Sequence, residues 1–243
     1  MIHRERKTIA TLDCTVVSRN GLVTPRAAVI LCHGFGAPGT DLVAIGSEFI
    51  SANESLADVV YIFPAGPLEL DPGYDARAWW MIDMERIQRM ALEGQSRDLK
   101  NEIPDRLAHC RKSMLEMMEE VQRTYALASQ QIVIGGFSQG AMLTTDVALH
   151  SPQPLGGLII WSGALINALE WTSLVQQQDN FPIIQSHGRF DPILPFSGAE
   201  ELFEILKQAG FPIEFLPFSG AHTIPMEVLE LASRLILEVV GQQ

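Results

Sequence analysis

Ser138 stands at the centre of Gly136-Phe137-Ser138-Gln139-Gly140, directly after the apolar run Gln131 to Gly135 and directly before a helix-like stretch, Ala141 to His150. In that context G-x-S-x-G predicts a nucleophile elbow, a sharp strand-to-helix turn that holds a serine hydroxyl above the end of a sheet. The chemistry open to such a hydroxyl is acyl transfer. The turn draws positions 136 and 140 together, so a Cβ at either would clash, and the following helix aims its first amides at the point where a tetrahedral intermediate gathers negative charge.

A serine hydroxyl is barely ionised at neutral pH, so attack on a carbonyl needs a base in hydrogen-bonding reach and a carboxylate to orient that base. In a strand-elbow-helix topology these follow the serine in the order acid, then histidine, on loops at the carboxyl ends of later strands. His150, His187 and His222 follow Ser138. His150 closes the helix behind the elbow, and His187 precedes any acid on its own loop, which leaves His222 in the turn Ser219-Gly220-Ala221-His222-Thr223. Asp146 lies two turns down the post-elbow helix and Asp179 precedes its strand. Asp191 follows the run Pro182 to Gln185 on the elbow's side of the sheet and is the expected acid; the alternative is that it caps the turn before Pro192.

A second oxyanion donor is expected from the loop His33-Gly34-Phe35-Gly36-Ala37-Pro38-Gly39, with the Phe35 amide beside that of Gln139. The loop lacks the G-x-G-x-x-G spacing of a dinucleotide site. Cys32, next to His33, could supply a thiol nucleophile, but its place in an apolar strand favours a buried structural thiol.

The elements that must position these residues follow a strand-helix rhythm. Continuous apolar runs at 27–32, 59–63, 131–135, 158–161, 182–185 and 213–217 suit strands buried on both faces, and helical periodicity appears at 41–52, 104–127, 141–150, 198–208 and 225–239. The pattern predicts an α/β fold with a mostly parallel central sheet and helices on both faces. Lys7 to Ser18 alternates and reads as an antiparallel edge strand. The long connection 66–102, carrying Trp79, Trp80, Met81 and Met84, reads either as a lid lining an acyl groove or as packing against the core.

The length of 243 residues suits one domain, 1–243, with that connection as a cap-like insertion. The formal net charge of -12 disfavours nucleic acid and anionic lipid surfaces, and no apolar run is long enough to span a membrane. The basic start has no apolar stretch behind it, so a cytoplasmic protein is expected. The three scattered cysteines form no metal-ligand spacing, and the chemistry calls for no metal or organic cofactor. Exposed apolar residues on the long connection would suit a homodimer.

At these residues the chain resembles the phospholipase/carboxylesterase family of α/β-hydrolases, which includes small bacterial carboxylesterases and acyl-protein thioesterases. The resemblance rests on Leu31-Cys32-His33-Gly34-Phe35-Gly36, Gly136-Phe137-Ser138-Gln139-Gly140, Trp161-Ser162-Gly163, His187-Gly188 with Asp191, and Gly220-Ala221-His222. It implies a Ser138, Asp191, His222 triad, an oxyanion hole of the Phe35 and Gln139 amides, and a place for Trp79 near the acyl pocket. The implied activity is hydrolysis of small-molecule carboxylic esters or thioesters of small to medium acyl chains through an acyl-enzyme. Lysophospholipase or acyl-protein thioesterase activity, amide cleavage, and a non-catalytic binding protein are the alternatives. Cys32, where many members carry an aliphatic residue, and the longer, Met-rich stretch 68–102 are the departures.

Overall fold

The computed structural model describes residues 1–71, 73–83 and 99–241. Its centre is an eight-stranded sheet. In chain order the strands are β1 (Ile2–Ile9), β2 (Leu12–Arg19), β3 (Ala27–Cys32), β4 (Val59–Pro64), β7 (Ile132–Phe137), β8 (Gly157–Trp161), β9 (Ile183–Gly188) and β10 (Ile213–Phe218). Across the sheet they run β1-β2-β4-β3-β7-β8-β9-β10, with β1 and β2 antiparallel and the rest parallel. Two further strands, β5 (Leu68–Asp71) and β6 (Ala76–Ala78), make a separate antiparallel ribbon.

Every residue of β3 and β8 is buried, as continuous hydrophobicity requires of a strand covered on both sides. Successive side chains point to opposite faces. Ala28, Ile30 and Cys32 join a core with α2 (Leu107–Tyr125), α3 (Gln139–Leu149), α4 (Ala168–Leu174) and α5 (Phe196–Gln208), while Val29 and Leu31 join the core under α1 (Val43–Ala52) and α6 (Met226–Gly241). This is the expected α/β-hydrolase arrangement. Strand order reverses between β3 and β7, so the loops leaving their carboxyl ends part around a crevice, the usual ligand position in an open parallel sheet.

The stretch 7–18 departs from expectation: it is a hairpin, not one edge strand. The chain reverses at Ala10-Thr11, where Ala10 takes a left-handed φ of 51°, and β1 pairs with β2 from Ile2↔Arg19 to Ile9↔Leu12. The alternation carries on across the turn, and no glycine or proline marks it, so the break is silent in the sequence. The helix α4 is likewise unmarked by periodicity, being only 7 residues long. No helix among the described residues is long and apolar enough to cross a membrane.

Candidate active site

Ser138 is the turn residue between β7 and α3, with φ 55° and ψ -117°, a combination L-residues rarely adopt and hold only where the surroundings over-determine it. The surroundings here are its own amide donating to the Trp161 carbonyl (2.9 Å) and its carbonyl accepting from the Met142 amide (3.1 Å). The flanking glycines are required by contact. A Cβ on Gly136 would lie 2.5 Å from the Cys32 carbonyl oxygen and 2.7 Å from the Gly140 carbonyl carbon, and one on Gly140 would strike the Cys32 and His33 carbonyls. All of α3 is buried, so the elbow is anchored by a helix through the core. Gln139 is the first residue of that helix, and its amide has no acceptor within it.

Asp191 and His222 come together from loops after β9 and β10. His222 Nδ1–H donates to Asp191 Oδ2 at 2.6 Å. Asp191 Oδ1 accepts the amides of Ile193 (2.8 Å) and Leu194 (2.9 Å), so the residue both caps its turn and holds the imidazole. The two readings of Asp191 are compatible. Burial would raise the carboxyl's pKa, but hydrogen bonds from His187 and His222, the charge on His222 and the Leu194 amide outweigh it and hold the group well below the usual carboxylate range.

His187 precedes the acid in the chain, out of the order that a base would follow, yet it is part of this cluster. Its Nε2–H donates to the Leu194 carbonyl at 2.9 Å and lies 3.3 Å from Asp191 Oδ2, with neither side chain exposed. The signal available was its spacing of four from Asp191.

Ser138 and His222 line one cavity with Phe35 and Trp80. Phe137 packs against the His222 ring at 4.6 Å between centroids, with the two rings tilted by 44°. The remaining wall is mostly apolar, including Ile82, Leu99, Met142, Ile166 and Ile193, with Asp41 and Glu102 as its carboxylates. Of the anticipated pocket residues, Trp80 is on this wall, whereas Trp79 and Met81 are not. Trp79 is fully buried behind it, and Met81 is 66% exposed. Met84 lies outside the described residues. Ile166 and Ile193 sit in irregular loops, where no periodicity pointed to them.

His33 is neutral, because burial lowers its pKa, and its partners fix the tautomer: Nδ1–H donates to the Gly34 carbonyl (2.8 Å) and Nε2 accepts from the Gly66 amide (2.9 Å). Cys32 is no nucleophile: burial pushes its thiol well above the ordinary value, and Sγ rests against Met114 Sδ at 3.8 Å. His150 sits at the far end of α3. There Asp146, His150 and Glu170 bring ligand atoms within 4.8 Å of one another, but the Arg111 guanidinium already supplies the positive charge, 3.0 Å from Asp146 Oδ2.

A parallel sheet with a serine elbow at its switch point and an Asp-His pair on later strand ends defines an α/β-hydrolase. The phospholipase/carboxylesterase family model matches residues 13–239, and the chain belongs to that family of ester-cleaving enzymes. Acyl-protein thioesterase 1 of Eremothecium gossypii is 31% identical over 86% of each chain, and acyl-protein thioesterase 1 homolog 1 of Dictyostelium discoideum is 29% identical over 85% of this chain and 88% of its own. Among solved structures, esterase PE8 shares the fold with a TM-score of 0.77 at 21% identity, covering 94% of this chain and 99% of its own. The Bacillus cereus carboxylesterase aligns with a TM-score of 0.66 at 18% identity, covering 95% of each.

Proposed function

We propose that the chain hydrolyses carboxylic esters and thioesters of apolar acyl groups through a Ser138, His222, Asp191 triad. His222 Nε2 takes the Ser138 proton as the hydroxyl attacks, the acyl group passes to Oγ, and the imidazolium gives its proton to the departing alcohol or thiol. A water activated by the same imidazole then releases the acid. Asp191 stays ionised and steadies the imidazolium. The Phe35 and Gln139 amides receive the oxyanion in each half-reaction. The observation that carries this reading is the 2.6 Å bond from His222 Nδ1 to Asp191, which turns Nε2 away from the acid while Ser138 and His222 share one apolar cavity.

Thioesters are included because relatives over most of the chain are named acyl-protein thioesterases. The whole chain acts in this reading as one unit, with the 66–102 connection supplying Trp80, Ile82 and Leu99 to the wall beside the acyl group. The test is Ser138→Ala assayed on matched p-nitrophenyl esters and acyl thioesters, with fluorophosphonate labelling of the unaltered chain. Turnover is expected to fall on the order of 10⁶-fold, with the probe attached at Ser138. Near-normal hydrolysis by the alanine variant, or an unlabelled Ser138, would sink the reading.

A further inference from the structure

We propose that Gln139 is a positioning residue whose buried carboxamide, working through Trp79, braces both halves of the oxyanion hole and the Trp80 wall of the cavity into one unit. This rests on the assignment of the Phe35 and Gln139 amides above.

The brace is a short segment, Arg77 to Trp80, lying between the two loops that carry those amides. Toward the Phe35 loop it makes a backbone ladder: the Gly36 amide donates to the Arg77 carbonyl (2.8 Å) and the Arg77 amide donates to the Ala37 carbonyl (3.0 Å). The Trp79 indole N–H adds a bond to the His33 carbonyl at 3.0 Å. Phe35 is therefore held on both sides by the same segment.

Toward the elbow, among the described residues, the hydrogen bonds are made by the Gln139 carboxamide. The Trp79 amide donates to Gln139 Oε1 at 2.9 Å, and Gln139 Nε2–H donates to the Trp80 carbonyl at 2.9 Å. Gln139 has no exposed surface, and the Trp79 carbonyl is taken by the Cys110 thiol at 3.1 Å. Trp79 is fully buried, so its amide could not turn to water if the carboxamide were lost.

The chemistry of the position is restrictive. It needs an acceptor and a donor at one side-chain terminus, at the reach of glutamine. Methionine fills the volume with no donor and only a weak sulfur acceptor. Glutamate reproduces both bonds only while protonated; once ionised it presents an acceptor to the Trp80 carbonyl. A buried carboxyl ionises late, so that change falls above the usual carboxylate range.

The consequence is geometric. A displaced Trp79-Trp80 segment takes the Phe35 loop with it and leaves the Gln139 amide behind, so the two donors no longer converge on one oxygen. Misplacements of about 1 Å can cost about 100-fold in rate.

The experiment compares Gln139→Met, Gln139→Glu and the unaltered chain on a p-nitrophenyl ester at pH 5.5 and 8.5, below the melting transition of each. Among the described residues, the titratable and charged groups nearest the brace are His33, Cys110, Arg77 and Arg106, with His222, Asp41 and Glu102 lining the cavity. Taking each variant's rate relative to the unaltered chain at the same pH removes their contribution. Gln139→Met is expected to lose about 100-fold in kcat at both pH values, with KM changed far less. Gln139→Glu is expected within about threefold of the unaltered chain at pH 5.5 and to fall toward the methionine variant by pH 8.5, as its carboxyl ionises.

A Gln139→Met kcat equal to that of the unaltered chain would overturn the brace, as would a Gln139→Glu ratio that is flat with pH. Should the methionine variant fail to fold, the glutamate ratio decides alone. Fluorophosphonate separates the two claims: an unlabelled native Ser138 removes the reading beneath, whereas labelled Ser138 with an unaffected methionine variant removes the brace only.

Discussion

Asp191 and Asp146 are both aspartates with no exposed side-chain surface, and each has a histidine four residues away within reach, His187 for one and His150 for the other. Their acidities move in opposite directions. Burial raises Asp146 above its ordinary value, against the opposing pull of the Trp171 indole at 2.9 Å, Arg111 and His150. Asp191 is also penalised by burial and still falls well below the usual range, because two imidazoles and two backbone amides converge on its oxygens. Residue type and burial are thus poor guides to role. The number and placement of donors keep one carboxylate charged beneath His222, while the other ties α2, α3 and α4 together inside the core.

The sharpest break of this comparison is the pair Asp191→Asn and Asp146→Asn. The first is expected to lower kcat about 10⁴-fold with the fold intact, since an amide cannot hold the imidazole in the working tautomer. The second is expected to leave kcat near that of the unaltered chain and to cost about 1–3 kcal/mol of stability, read from urea midpoints, because Arg111 loses its charged acceptor. Equal kinetic losses from the two variants would abolish the distinction.

A smaller effect should follow from His187→Leu. Removing one donor from Asp191 is expected to cost about tenfold in kcat, or about 1.4 kcal/mol. It should also alter acid unfolding. A carboxyl depressed in the folded state contributes stability that is complete above the ordinary value near about 4 and is lost as the pH falls through the folded value. With His187 gone that folded value rises, so the variant should unfold at higher pH than the unaltered chain in an acid titration of near-ultraviolet circular dichroism. Coincident curves would mean that His187 does not act on Asp191.

The sheet and the Asp191-His222 contact were legible because they rest on local patterns. Continuous apolar runs marked β3 and β8, the glycines at 136 and 140 marked the elbow, and the order of acid and histidine after Ser138 selected loops that do meet. What stayed hidden depends on distant contacts. The turn at Ala10 has no composition signal, and His187 read as a loop residue ahead of the acid, whereas it lies in β9 with Asp191 folded back over it. The family resemblance implied a place for Trp79 near the acyl pocket, but its indole and amide are spent on His33 and Gln139. A bond spanning 60 positions has no periodicity to betray it.

The hairpin that opens the chain guards one edge of the central sheet. Seven of the eight residues of β1 face solvent, and Arg4, Glu5, Arg6 and Lys7 sit together on this outermost strand of the sheet. Consecutive charges of that kind discourage a neighbouring strand from docking edge to edge. Behind them lies β2, with Leu12, Cys14, Val16 and Val17 buried. Stripping away the outer strand would bare an unpaired rim with apolar residues behind it, a template on which another strand could pair.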